Sequence, residues 1–373
     1  MGRTTLLNSV LAALVVVALS VGVCWAAPTG TPTLRLKTFT YVDQEGTGIE
    51  AFRFLMPTDW QFEGGIKWLL DRPGAPASAH FRVFNPAGTE ALEVFPNQPF
   101  FWTDNPLIQS VSPVGSRYFG NEVLPPAEAL EVLKNVVIPR YRTGVADLKI
   151  VQEQALPELA KALAPPTQQA PGVSSSSTGA KVRLEYQQDE VPMEEEIYGV
   201  VECVFFSSPS IYGVTTNVVW TAEYLFALKA QKGTLDSQAP LFQTMVFSFR
   251  LNPQWFSKYI QLTEMLIQNQ IRQIHNIGEL SRYISQTSNE ISDMMMDSYN
   301  QRQAVYDRIS TDFSQMIRGV DEYYDPVSQT PVELPTGYTN AWVNGLGEYV
   351  LSDNPNFNPN LGSNLTWQPM GKQ

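Results

Sequence analysis

Several carboxylates of this chain lie among aromatic residues, and their possible chemistry is the clearest that the sequence offers. Asp325, Glu333 and Glu348 lie close in sequence to tyrosines and tryptophans in the C-terminal region. Glycoside hydrolysis needs two carboxyl groups at the scissile bond, one acting as acid and the other as base or nucleophile. The pattern therefore gives one hypothesis, an envelope glycan hydrolase that uses these C-terminal carboxylates.

Other catalytic signatures are absent from the sequence. It contains no Gly-x-Ser-x-Gly, His-Glu-x-x-His or P-loop motif, and no Gly-x-Gly-x-x-Gly after a strand. The two histidines, His80 and His275, are far apart, and the run Glu194-Glu195-Glu196 is typical of a solvated face. We expect no metal, no cofactor and, as the leading expectation, no enzyme activity.

Two aromatic clusters are the candidate binding residues. The first is Phe100, Phe101 and Trp102, and the second runs from Trp342 through Asn344 to Tyr349. Large amphipathic rings are favoured at protein interfaces. The alternative is that both clusters fill the core, and the sequence leaves this choice open.

The N-terminal residues 1–27 read as a secretory signal peptide, with Arg3 before an apolar run and small residues near position 27. A retained anchor is the alternative. We expect an exported protein, periplasmic or extracellular, with no stable transmembrane span after cleavage. Cys203 then remains without a second cysteine, and we expect it to be buried.

The charge of the chain limits its partners. The formal net charge is -12, which disfavours binding to nucleic acid or to anionic lipid. We therefore expect the partner to be another envelope or secreted protein, and oligomerisation remains an open alternative.

Short strand patterns dominate the first part of the chain. Alternating or apolar runs predict strands at 34–42, 49–56, 79–84, 91–95, 148–152, 181–186, 197–206 and 218–228. Helical spacing predicts helices at 125–137, 156–163 and 241–249, while the Ser-rich residues 168–179 predict a flexible loop. The expected fold is α+β, an antiparallel sheet covered by helices.

Two segments carry a resemblance to a known family. The segment 52–60, which ends in Pro57-Thr58-Asp59-Trp60, resembles the strand-Pro-x-x-Trp opening of PsbP-like and DcrB-like proteins. Residues 227–233 and 240–249, ending in Ser248-Phe249, are similar to the closing strand and final helix of that group. The resemblance covers about residues 33–252. It implies a sheet covered by helices, noncatalytic and docking onto a larger assembly, and so a PsbP-like domain at 28–252.

Residues 253–318 hold one glycine, Gly278, after Pro253, and their apolar residues recur at helical spacing. We expect a long helix, or a helical hairpin broken near Gly278 and the Thr287-to-Glu290 capping box. An aromatic, turn-rich tail follows at 319–373. Segments of both, including Trp342 to Tyr349, resemble uncharacterised exported bacterial proteins.

These expectations lead to one main functional hypothesis. It is a noncatalytic exported binding or assembly module of the bacterial cell envelope or secreted fraction. The alternatives are the glycan hydrolase described above and a structural protein that oligomerises through the 253–318 helix.

Overall fold

The computed structural model describes residues 33–69, 75–163, 172–210, 213–267 and 319–373, together with 296–297, 299–300 and 303–304. Among these residues, 51% lie in strands and 21% in helices. The expected α+β fold, with a helix-covered sheet and a long C-terminal helix, is therefore wrong. The molecule is mostly β.

The strands form three sheets, which we number in the order in which the chain enters them. In chain order the strands are β1 (Thr33–Val42), β2 (Glu50–Pro57), β3 (Gln61–Trp68), β4 (Ala77–Phe84), β5 (Ala91–Val94), β6 (Gln98–Thr103), β7 (Arg117–Tyr118), β8 (Asn121–Val123), β9 (Ala146–Ala155), β10 (Val173–Gln188), β11 (Val191–Ser210), β12 (Gly213–Gln231), β13 (Arg250–Leu251), β14 (Val320–Asp325), β15 (Thr330–Pro335), β16 (Asn340–Asn344), β17 (Glu348–Ser352), β18 (Trp367–Pro369) and β19 (Gly371–Lys372).

The helices are short and lie between the strands. They are α1 (Pro106–Val111), α2 (Ala129–Val132), a π-helical turn (Leu133–Val137), α3 (Ile138–Tyr141), α4 (Pro157–Leu163), α5 (Leu235–Phe247) and α6 (Pro253–Ile267). Of the long helix expected at 253–318, the described part is chiefly α6, with 15 residues. Most of the remainder, including Gly278 and His275, lies outside the described residues.

The first sheet joins the two ends of the described chain. Its strand order is β13-β2-β1-β17-β16-β18, so β1 pairs with β2 on one edge and with β17 on the other. In the β1–β17 pair, Leu34 faces Leu351 and Leu36 faces Tyr349. The region expected to be a turn-rich tail therefore contributes strands to the same sheet as the N-terminal strands.

The second sheet is larger and contains the longest strands. Its main path is β3-β4-β5-β12-β11-β10-β9, with β6, β7 and β8 attached beside β12. The Ser-rich residues that we expected in a flexible loop belong to β10 from Val173 onward, where Ser174 faces Phe205 and Ser176 faces Cys203. That prediction is wrong. A run of serines suggests a loop, but the backbone of residues 173–179 pairs with β11, and this pairing makes the segment a strand.

Three apolar cores separate the layers. The first core packs the β2 residues Phe52, Phe54 and Met56 against the second sheet and helices α5 and α6. The second lies between the opposite face of the second sheet and the helical stretch from α2 to α3. The third packs residues such as Leu55 and Tyr349 of the first sheet against β14 and β15. Within the described parts of the chain, no helix combines the length and apolar character needed to span a bilayer.

Asp43 connects β1, β3 and α6 through one buried carboxylate. It has no exposed surface, and its oxygens accept hydrogen bonds from the Trp255 indole at 2.9 Å and the Trp68 indole at 3.2 Å. The backbone N–H groups of Gly46 and Thr47 donate to it as well. A Cβ at Gly46 would lie 1.9 Å from Trp68 Nε1, so only glycine fits there.

We predict that Asp43→Ala lowers the free energy of unfolding by about 3 kcal/mol, because several buried donors lose their acceptor. Asp43→Asn should cost less, since one oxygen remains. Urea unfolding followed by tryptophan fluorescence measures both. Asp59→Ala, at an exposed turn position, is the control and should stay within about 0.5 kcal/mol of wild type. Equal losses for Asp43→Ala and Asp59→Ala would contradict the role of Asp43.

Candidate functional site

The first predicted aromatic cluster lies on β6 and points largely into the protein. Phe100 has no exposed surface and stacks on Trp220 with ring centroids 4.1 Å apart. Phe101 is buried and stacks on Tyr118 at 4.4 Å, and Trp102 is half-buried against the second core. The backbone pairing of β6 with β12 sets these positions. Phe100 and Phe101 therefore pack inside the protein, and only part of Trp102 reaches solvent.

Four exposed apolar side chains lie just after this cluster in sequence, in a segment that the sequence analysis did not single out. Leu107, Val111, Val114 and Phe119 are 56%, 78%, 61% and 83% exposed. We call these four residues the α1 surface. Residues 105–116 contain no charged side chain, although the chain as a whole carries a net charge of -12. Helix α1 buries none of its residues, so its apolar side chains do not serve the core.

Phe119 has an unusual backbone conformation. It occupies the left-handed region with φ of 48°, and Gly120 follows with φ of 83°, so the two residues form the turn between β7 and β8. This turn normally takes Asn-Gly. A bulky side chain in this region costs about 1–2 kcal/mol, and such outliers cluster at functional sites. The sequence alone gives only the weak signal of a phenylalanine before glycine.

A chain of rings holds Phe119 in place. Its ring meets Tyr118 edge to face at 4.7 Å, and Tyr118 stacks on the buried Phe101. Such edge-to-face contacts contribute about 0.5–1.5 kcal/mol beyond area burial. The predicted residue Phe101 thus supports an exposed aromatic side chain.

Hydrogen bonds fix the rest of the α1 surface. The Asn105 side chain caps α1 by accepting from Leu107 N, and Gln109 Nε2 donates to the Thr103 carbonyl at 2.7 Å. The loop after α1 is tied to β8, because Gly115 N donates to the Val123 carbonyl at 2.8 Å. A surface held in one conformation loses less entropy when it binds a partner.

The second predicted cluster lies on the first sheet, in β16 and β17. Trp342 is half-buried and meets Phe357 edge to face at 5.4 Å. Asn344 is buried, and its Oδ1 accepts from Leu346 N at 2.9 Å and from Glu348 N at 3.1 Å, which shapes the hairpin turn. Tyr349 is buried and donates its hydroxyl proton to Asp325 at 2.9 Å. Asn344 and Tyr349 have structural contacts, and the two predicted clusters lie on different sheets.

The C-terminal carboxylates have similar structural contacts. Asp325 is buried and accepts from Val327 N at 2.7 Å and from Ser328 N at 3.2 Å, besides the Tyr349 hydroxyl. Burial would raise the pKa of Asp325, but these hydrogen bonds lower it below its ordinary value. A glycosidase general acid needs the opposite shift. Glu348 accepts from Asn344 Nδ2 at 2.7 Å, and Glu333 faces Glu322 across the β14–β15 pair.

The three glutamates of β11 are buried, contrary to the solvated face that we expected. Glu194 and Glu196 are 8% exposed and Glu195 is 0% exposed. Glu194 and Glu196 pair with Arg183 and Lys181 of β10 on one face of the second sheet. Strand alternation alone would have shown that Glu195 points to the other face. No local sequence pattern indicates which cation meets the Glu195 carboxylate on that face.

That cation is Arg142, which follows α3. Its guanidinium binds both oxygens of Glu195 and also Glu93 at 2.8 Å, and it lies over the Phe95 ring at 5.1 Å. Burial alone would lower the pKa of Arg142, but Glu195 and Glu93 raise it above its ordinary value. The guanidinium stays charged, so the buried Glu195 carboxylate keeps a permanent counter-ion.

The remaining candidates are Cys203, His80 and possible metal ligands. Burial raises the pKa of the Cys203 thiol to about 11, so the thiol is protonated and unreactive at neutral pH. The His80 ring lies 3.3 Å from Glu93 at the edge of the Arg142 contacts. In the part of the chain that the structure describes, no three His, Cys, Asp or Glu side chains are grouped to hold a metal ion.

Comparison with known proteins adds no family. No protein-family model matches the chain. No curated protein matches it significantly. The two segments behind the PsbP-like resemblance do contact each other, since Ser248 Oγ accepts from Leu55 N at 2.8 Å and Trp60 packs on Phe242. The resemblance itself stays a prediction.

We predict that Arg142→Met destabilises the protein by about 3–5 kcal/mol, because Glu195 would be left buried without a counter-ion. The double variant Arg142→Met, Glu195→Met should recover most of that loss, and urea unfolding of the three proteins gives the comparison. Arg140→Met is the matched control, since Arg140 pairs with Glu122 at the surface and should cost less than about 1 kcal/mol. A double variant no more stable than Arg142→Met would argue against the pair.

We predict a pH dependence from Asp325. Because its folded pKa lies below the unfolded value, its carboxylate stabilises the fold above about pH 4 and loses that contribution as the pH falls further. Asp325→Asn keeps an oxygen for the turn and removes the titration. The free energy of unfolding, measured by urea from pH 6 to pH 2, should fall more steeply for wild type than for Asp325→Asn. Parallel curves would refute the prediction.

Proposed function

We propose that this chain is a noncatalytic exported binding module, and that it contacts another envelope or secreted protein through the α1 surface. The observation that carries the proposal is Phe119, which is 83% exposed in a strained turn and supported by Tyr118 and Phe101. Exposed apolar patches on soluble proteins mark interaction sites. A core residue would be buried, and a simple turn would take asparagine.

The chemistry of the surface points to an apolar protein pocket as the binding site on the partner. Interface centres are depleted of charged residues and enriched in aromatic ones. Residues 105–116 are uncharged, the exposed Arg117 is the one charged residue between Val114 and Phe119, and Phe119 is the most exposed large apolar residue among those described. Nucleic acid and anionic lipid fit poorly because the net charge of the chain is -12.

The alternatives receive less support. For the glycan hydrolase, Asp325 and Glu348 are engaged in turn-forming hydrogen bonds, and the pKa of Asp325 is shifted away from that of a general acid. Turnover of peptidoglycan that is lost in Glu348→Gln or Glu333→Gln would restore that hypothesis.

The other alternative is oligomerisation through residues 253–318, a segment that lies mostly outside the described residues. Sedimentation at micromolar concentration tests whether the protein is a monomer.

The decisive variant is Phe119→Asn. It creates the Asn-Gly pair that this turn favours, so we predict a stability gain of about 1 kcal/mol from relief of the backbone strain. The same change removes the ring and should abolish partner binding. Thermal unfolding measures the first effect. For the second, a photo-crosslinking residue is placed at position 114, and adducts are counted after incubation with the native exported fraction.

Leu361→Asn is the matched control. Leu361 is 78% exposed, but it lies in the C-terminal region, away from the α1 surface in sequence. This variant should keep the adduct at wild-type yield. An adduct that survives Phe119→Asn, or one that Leu361→Asn removes equally, would overturn the proposal.

A further inference from the structure

A hollow lies where four parts of the fold meet. It is lined by the start of β1, the turn between β2 and β3, the turn between β4 and β5, and helix α5. Its volume is about 360 Å³, toward the lower end of the roughly 300–1,000 Å³ that small-molecule sites occupy. The hollow is therefore large enough for a small organic molecule.

Trp60, the tryptophan of the Pro-x-x-Trp segment, lines this hollow and is an exception among the buried tryptophans. It is 7% exposed, and no oxygen of the described residues accepts from its indole N–H. The other buried tryptophans that the structure describes all donate this N–H to an oxygen of the protein, namely Trp68, Trp220, Trp255 and Trp367. A buried indole N–H usually has such a partner. The N–H of Trp60 is thus free to donate to a molecule in the hollow.

Arg35 lines the same hollow and has no partner either. Among the arginines that the structure describes, it alone forms neither a side-chain hydrogen bond nor an ion pair. Alternation along β1 puts Arg35 on the face that carries Phe39 and Tyr41, which pack in the first core toward the second sheet. A guanidinium matches the two oxygens of a carboxylate. Two unpaired donors in one hollow therefore favour a carboxylate ligand.

Two carboxylates also line the hollow, Asp59 between β2 and β3 and Glu90 between β4 and β5. Glu90 Oε2 accepts from Asn85 Nδ2 at 2.9 Å, and within the described residues Asp59 has no ion pair. Because the carboxylates outnumber the one arginine of the lining, a simple anion would be repelled. A molecule that carries an ammonium group beside its carboxylate satisfies both sets of charges.

The rest of the lining is partly apolar. Pro57 is buried, and Leu34 and Leu241 are half-buried beside the Trp60 ring. These groups gain free energy when an aliphatic side chain covers them. The ligand that fits the whole lining therefore has an aliphatic part as well as two opposite charges.

Backbone hydrogen bonds hold the walls of the hollow in place. Thr58 N donates to the Arg35 carbonyl at 3.0 Å, which fixes the β2–β3 turn against β1. Asn85 N donates to the Glu90 carbonyl at 2.9 Å and closes the β4–β5 turn. A site formed in advance loses less entropy when its ligand binds.

We propose that this hollow binds a free α-amino acid with an aliphatic side chain. The carboxylate of the ligand accepts hydrogen bonds from the Arg35 guanidinium and the Trp60 indole. Its ammonium group donates to Asp59 and Glu90, and its side chain packs on Leu241.

Isothermal titration calorimetry of the purified full-length protein with L-leucine tests the proposal at neutral pH. We expect saturable binding of one leucine. Isoamylamine lacks the carboxylate of leucine and N-acetyl-L-leucine lacks its ammonium group, so both should bind at least several-fold more weakly. No saturable binding of leucine at millimolar concentration overturns the proposal, and so does equal binding of either derivative.

Variants of exposed side chains locate the site. Arg35→Gln should weaken leucine binding about 10- to 100-fold, the effect of losing a charged hydrogen-bond partner. Arg53→Gln is the matched control, because Arg53 is an exposed arginine of β2 outside the hollow and pairs with Glu50. This control should bind leucine like wild type. Equal affinities of Arg35→Gln and wild type, or an equal loss in Arg53→Gln, would place leucine elsewhere and refute the site.

A spectroscopic measurement tests the indole contact separately. The NMR signal of the Trp60 indole N–H, assigned by its loss in Trp60→Phe, should shift when leucine is added, while that of Trp220 stays unchanged. An unmoved Trp60 signal in protein saturated with leucine would exclude the contact. The Arg35 variants give their answer even if Trp60→Phe does not fold. All of these measurements are independent of partner binding at Phe119.

Discussion

Three consecutive glutamates constrain the arrangement of the second sheet. Successive side chains of a strand point to opposite faces, so Glu195 enters the second core while Glu194 and Glu196 lie on the other face. A buried carboxylate is costly unless a cation meets it. Arg142 must therefore lie where α3 ends, and Arg183 must face Glu196 in the β10–β11 register. A slip of one residue would point all three carboxylates at the wrong partners.

Strand pairing also explains which elements the sequence predicts and which it does not. The strands at 34–42, 79–84 and 91–95 correspond to β1, β4 and β5 within one or two residues, because alternation is a local signal. The strand identity of residues 173–179 depends on pairing with β11, and that of β17, residues 348–352, depends on pairing with β1 as well as with β16. Pairing partners distant in sequence leave no local pattern.

The candidate site shows a similar division. The sequence shows a run of three aromatic residues, Phe100, Phe101 and Trp102. Only the pairing of β6 with β12 shows which of these rings are buried. The exposed residue Phe119 has a single aromatic neighbour in sequence, Tyr118, and belongs to no aromatic cluster that composition would single out. The role that we propose for Phe119 depends on a backbone dihedral and on the ring contacts through Tyr118 to Phe101, neither of which a sequence pattern can reveal.

The position of β1 between β2 and β17 bears on how the chain folds. β2 follows β1 directly, whereas β17 is separated from it by most of the chain. During synthesis, one edge of β1 stays without its native partner until residues 348–352 have been made. Such late, non-local pairing slows folding and leaves an unpaired strand edge open to other chains. A chaperone that holds the emerging N-terminal strands would therefore affect the yield of folded protein more than its final stability.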